Sequence, residues 1–108
     1  MVVDIETANK VIVDYLAGVK DVFPINKAYL YGSYAKGTFR EDSDLDLCFF
    51  LDNMPVSDIF ETEVKLLGLA RKYNRIISIE PNVFPTSELD NDNPFVKEVL
   101  RTGKELLY

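Results

Sequence analysis

The run Asp44-Leu45-Asp46-Leu47-Cys48-Phe49-Phe50-Leu51 constrains this chain more than any other stretch. Five consecutive apolar side chains behind an Asp-x-Asp opening suit a strand covered on both faces, the centre of a sheet. Strand side chains alternate between faces, so Asp44 and Asp46 project to one side while Leu45 enters the core. A second strand is read upstream in Lys27-Ala28-Tyr29-Leu30-Tyr31, which is apolar and aromatic and runs into Gly32. Between the two strands lies Gly32-Ser33-Tyr34-Ala35-Lys36-Gly37-Thr38-Phe39-Arg40-Glu41-Asp42-Ser43.

This connection has the makings of a phosphate site. Gly32, without a side chain, lets backbone approach a ligand closely. Ser33 offers a hydroxyl beside free N–H groups if residues 34–36 start a short helix, and helix N-termini attract phosphate. Lys36 adds a mobile positive charge, Arg40 a second one within reach, and Gly37 lets the chain turn towards the next strand. Asp44 and Asp46 repel each other, and divalent cations relieve that repulsion best. Mg²⁺ in particular favours one or two carboxylates completed by substrate phosphates and water. Together the two halves read as a metal-dependent phosphoryl-transfer site in which two ions activate a hydroxyl and hold a triphosphate with its leaving pyrophosphate. A plain turn with solvated acids needs neither the Gly-Ser at one end nor the Asp-x-Asp entering an apolar strand at the other.

On Gly32, Ser33, Ala35, Gly37, Ser43, Asp44 and Asp46, spaced as Gly-Ser-x-Ala-x-Gly-x₅-Ser-Asp-x-Asp, the chain resembles the minimal nucleotidyltransferases (MNT, antitoxin-type) of the DNA polymerase β superfamily. These are small proteins often encoded beside a helical HEPN partner. The resemblance is sharpest over residues 29–51, and the order of elements fits the rest. It implies nucleotide binding by Gly32, Ser33, Lys36 and Ser43, and metal binding by Asp44 and Asp46. Members commonly carry Arg after Gly-Ser, where this chain has Tyr34, so Lys36 and Arg40 are the nearby cations. The superfamily's third carboxylate, on a later strand, helps to bind metal and to deprotonate the attacking hydroxyl. The candidate is Glu80 in Arg75-Ile76-Ile77-Ser78-Ile79-Glu80-Pro81, where Ile77 and Ile79 face the core and Ser78 and Glu80 share the other face. Members more typically show Asp there, one methylene shorter. The competing reading of Glu80 is a solvated residue before a strand-ending proline.

The resemblance implies transfer of AMP from ATP to an acceptor hydroxyl, with a helical HEPN-type toxin as partner, modified on a tyrosine, and this chain as antitoxin. Two other readings stand beside it. One is transfer to a small molecule, with a homo-oligomer or a separate helical subunit forming the acceptor cleft. The other is a non-catalytic nucleotide-binding or toxin-masking module. No second domain is evident to hold an acceptor, so its binding surface is expected from another molecule.

The 108 residues suit one domain spanning 1–108, with 47% apolar and 28% charged residues as in ordinary soluble globular proteins. No apolar run approaches a membrane span, and Met1-Val2-Val3-Asp4-Ile5-Glu6 lacks a basic region ahead of an apolar one, so a cytoplasmic location is expected. There is no histidine, which excludes Ser-His hydrolysis and His-ligated zinc and leaves proton transfer to carboxylates. Cys48 is the only cysteine and reads as an inert core residue. Eighteen acids against twelve bases give a net charge of −6, which opposes binding to a long nucleic acid.

Elsewhere, Ile5, Ala8, Ile12, Tyr15, Val19 and Val22 predict an amphipathic helix over about residues 5–21, closed by Phe23-Pro24. Asp58 and Glu61 suggest a capping-box start to a helix reaching about Tyr73, with Phe60, Val64, Leu67 and Ala70 as its inner face. A strand over 76–80 follows, then a polar loop over 85–94. Asp90 and Asp92 in that loop lack the remaining ligands and the glycine of a calcium loop. A short helix from Pro94 to Gly103 and a final edge strand over 105–108 complete the chain. Tyr31 and Tyr34 flank the turn as candidate contacts for a base or ribose. The expected fold is α+β: a small mixed β-sheet with helices mainly on one face, as in polymerase-β-like nucleotidyltransferases.

Overall fold

The computed structural model describes residues 2–106, and among these eight elements alternate as the sequence requires. Helix α1 (Ile5–Val22) starts at Asp4, whose carboxylate accepts from the Thr7 N–H at 2.8 Å, and buries Ala8, Val11, Ile12, Tyr15, Leu16 and Val19. Ile5 and Val22, read as part of that inner face, are exposed at its two ends. Strand β1 (Ile25–Tyr31) leads into the single turn α2 (Ser33–Lys36), and β2 (Leu45–Leu51) follows. Helix α3 (Ile59–Ala70) crosses to β3 (Ile79–Pro85), and α4 (Pro94–Thr102) precedes the two-residue β4 (Lys104–Glu105). Leu107 and Tyr108, the end of the expected last strand, lie outside the described residues.

The sheet has the order β3-β2-β1-β4. β1 runs antiparallel to β2 and to β4, whereas β2 and β3 run parallel, joined by the α3 crossover. Central β2 thus has a neighbour on each side, which is why its apolar run is continuous. Its odd positions Leu45, Leu47, Phe49 and Leu51 face α1 and α3 in the main core. Cys48 and Phe50 face the other way, into a smaller cluster with Tyr29, Val96 and Val99 under α4. Asn93 starts α4 by accepting from the N–H groups of Phe95 and Val96.

Four expectations need correction. The strand placed at 76–80 lies at 79–85 and passes through Pro81 and Pro85. It tolerates them because β3 is an edge strand paired only with β2, so a missing N–H on its outer side costs no ladder bond. Most of the inner face read for α3 also points outwards: Phe60 is 80% exposed, with Val64 and Leu67 about half exposed, while Ala70 is buried as expected, together with Thr62 and Leu66. This helix is apolar nearly all round, so two stripes compete. The winning stripe lets α1 approach, and Tyr15 Oη donates to the Leu66 carbonyl at 2.8 Å. Asp58 makes no side-chain cap, because a 3₁₀ turn at Val56–Asp58 enters α3 directly. The 85–94 stretch is partly ordered by a second such turn at Thr86–Leu89.

Candidate active site

Gly32 has φ +74° and ψ −152°, a conformation open to glycine at little cost, and it starts α2. A Cβ there would overlap Asp46 Oδ2 and stand 3.1 Å from Asp46 Cγ. The Asp46 carboxylate therefore lies against the bare Cα of the turn, joining the two halves of the site read in the sequence. The first turn of α2 presents N–H groups with no partner within the helix, and the Ser33 hydroxyl stands beside them. Gly37, at φ +75°, ends the turn with its N–H on the Ser33 carbonyl.

Strand register brings in the third acid. Asp46 pairs with Glu80 across the parallel β2/β3 ladder and with Tyr31 across β1/β2. Neighbouring strands lie about 4.8 Å apart, so side chains of like orientation at paired positions stand side by side. Asp44, one residue before β2, is near enough for its charge to act on the Asp46 carboxyl. The half-buried Asp46 carboxyl is pushed up to about 6, first by desolvation, then by the negative charges of Glu80 and Asp44. Among the described residues none of the three is in an ion pair with Lys or Arg that would offset their repulsion. Nor, among those residues, do any three His, Cys, Asp or Glu side chains stand together as a group that could hold a metal ion by itself. The donors are all hard carboxylate oxygens on one rim, a set that suits Mg²⁺ sharing its sphere with phosphate and water.

The other expected residues take distinct positions. Lys36 and Arg40 are exposed on the loop. Ser43 Oγ accepts from the Arg40 N–H at 2.7 Å, closing the turn ahead of β2 and leaving its hydroxyl proton to donate. Tyr34 is buried, stacks on Phe39 and donates to the Val3 carbonyl at 2.8 Å, which removes it from any ligand contact. Tyr31 does reach the site: burial and the charges of Asp46 and Glu80 drive its hydroxyl pKa well upward. Its oxygen accepts from Asn82 Nδ2 at 2.6 Å across β2, and its ring packs edge-on against Phe95. Asn82 and Phe95 were not anticipated. The alternation Glu80-Asn82-Phe84 would have exposed Asn82 had β3 been read through Pro81. Cys48 is fully buried and its thiol is pushed up to about 12 by desolvation, as an inert core residue requires.

A cleft of 710 Å³ between residues 51–55 and 85–87 lies at the opposite end of β2 and β3, roughly 17 Å along the strand from Asp46. Among the described residues no helix is long and apolar enough to cross a membrane.

A sequence model of the family described as "Polymerase beta, Nucleotidyltransferase" matches residues 4–108. No curated protein sequence matches the chain significantly. Among solved structures, a toxin-antitoxin crystallised with AMP-PNP is similar at 22% identity and a TM-score of 0.57, over 91% of this chain and 71% of that one. A mutant of the toxin-antitoxin MntA-HpeT is similar at 21% identity and a TM-score of 0.55, over 92% and 71%. A Sulfolobus solfataricus protein proposed to be a nucleotidyltransferase aligns over 75% of this chain and 69% of its own, at 21% identity and a TM-score of 0.56. Likeness at these identities speaks for the shared fold.

Proposed function

The chain belongs to the polymerase β nucleotidyltransferase family, and on that premise we propose that it transfers AMP from ATP to a hydroxyl on a partner protein, a helical HEPN-type toxin for which it is the antitoxin. The observation that carries this reading is the Asp46 carboxylate laid against Gly32, beside Glu80 and without a cationic partner among the described residues. The likeness to a toxin-antitoxin crystallised with AMP-PNP supports the choice of nucleotide and of partner.

In this reading Asp44 and Asp46, with Glu80 beside them, would hold Mg²⁺. When bound, the metal supplies positive charge to the triphosphate and to the pyrophosphate as it leaves. The α2 N–H groups and Ser33 hydroxyl receive phosphate oxygens, and Lys36 and Ser43 contribute from the loop. The acceptor oxygen forms a bond to the α-phosphorus, the bond from that phosphorus to the bridging oxygen breaks, and pyrophosphate departs. Glu80, the exposed acid of the three, takes the acceptor's proton.

The test is mass spectrometry of the co-expressed toxin candidate and of pyrophosphate released with Mg²⁺ and ATP. The expected result is an added AMP mass with the wild-type chain and a rate at least about a hundredfold lower with Asp46→Asn. Neutralisation of the toxin by Asp44→Asn without any added mass would overturn the transfer reading in favour of masking.

A further inference from the structure

We propose that the outer face of α3 is a homodimer interface, packed antiparallel against the same helix of a second copy about a two-fold axis near Val64. Four of the eleven large apolar side chains exposed among the described residues, Val56, Phe60, Val64 and Leu67, lie along this one element and its lead-in turn. Their spacings of 4, 4 and 3 place them on one stripe. That density sets α3 apart from the scattered exposed residues that any surface carries.

The occupant follows from shape and charge. A two-fold axis at Val64 sets each residue four positions before it opposite one four positions after, so Phe60 faces the second copy's Gly68. Gly68 is exposed, and a Cβ added there would meet nothing within 4 Å, so it leaves a notch where the opposing ring needs room. Isologous pairing requires one surface to hold both projection and recess, as this face does. Charge agrees: Asp58, Glu61 and Glu63 lie in the first half, and Lys65, Arg71 and Lys72 in the second half and the turn that follows. Antiparallel packing sets each acidic half beside a basic one, and opposes the two helix dipoles. The Glu61–Lys65 pair is exposed within its own helix, and Lys65 can re-pair across the axis.

Among the described residues the sheet edges are poor routes to a dimer. One edge is β3, interrupted by Pro81 and Pro85, and the other is the two-residue β4. α3 covers the sheet face opposite the acids, so a dimer formed this way keeps both rims open. The proposal holds whether or not those acids transfer nucleotide.

Sedimentation equilibrium of the full chain at micromolar concentration tests it. The wild type should sediment at twice 12.3 kDa. Phe60→Asp and Gly68→Leu should each weaken the dimer roughly tenfold or more. The exchange Phe60→Ala/Gly68→Leu should restore it, because bulk and notch trade places. Val13→Asp, on the exposed face of α1, should leave the dimer intact, with circular dichroism confirming helix content throughout. A wild type at 12.3 kDa, a dimer indifferent to Phe60→Asp, or equal loss with Val13→Asp overturns the proposal. So does a monomer whose Phe60→Asp variant loses only a different protein, which assigns the face to that protein.

Discussion

At Asp46 the fold gathers negative charge at a cost in stability. Desolvation and two neighbouring acids raise its pKa to about 6 in the folded protein, against 3.8 ordinarily, so the native state holds this proton more tightly than the unfolded chain. Stability from this group is therefore highest below about pH 4 and falls as pH rises through about 6. Without divalent metal, Asp46→Asn should stabilise the protein at pH 7 by about 1 kcal/mol, allowing for solvent screening at a half-buried group. That gain should shrink as pH falls from 6 to 4. Urea denaturation in EDTA across that range checks it, and a gain independent of pH would refute the mutual repulsion of the acids. The pairing of Gly32 with Asp46 was legible in the sequence because both ends of the connection carry unusual residues. Glu80 was expected beside the aspartates only through the family resemblance; the register that pairs it with Asp46, across strands 34 residues apart, is set by the whole sheet.

At the scale of elements, α3 shows how pattern alone fails. With apolar residues on nearly every side, periodicity offers two faces, and α1 decides between them through Tyr15, Leu66 and Ala70. Leu66→Ala should cost about 2–5 kcal/mol, since Leu66 is wholly buried. Leu67→Ala should cost about 0.5 kcal/mol or less in dilute protein, where no second copy covers it. Thermal denaturation of the two variants separates the faces, and equal losses would refute the assignment. β3 teaches a similar lesson. Pro81 reads as a stop in isolation but is harmless on a strand whose outer side pairs with nothing described, and its passage brings Asn82 to Tyr31.

Across the whole molecule, the sheet separates two tasks. One face is sealed by α1 and α3, while the other, under α4, carries Tyr31, Asp46, Glu80 and Asn82 at its open end. A chain of net charge −6 whose acids converge at that end should gain stability from a bound divalent cation. Millimolar Mg²⁺ should raise the wild-type melting temperature by several degrees, about 1 kcal/mol for a domain of this size. The Asp44→Asn/Asp46→Asn variant should show no such rise, and an equal rise in both would place the cation elsewhere.

Residue type and short-range spacing alone determined the central strand, the Gly-Ser turn, the paired aspartates at the strand's entry and the mixed α+β order, because each is written within a few consecutive positions. The tertiary structure alone decided which face of α3 is buried, how far β3 runs, and the register that sets Glu80 beside Asp46 and brings Asn82 to Tyr31. Those outcomes depend on contacts between segments far apart in the chain, where packing and strand register override local preference.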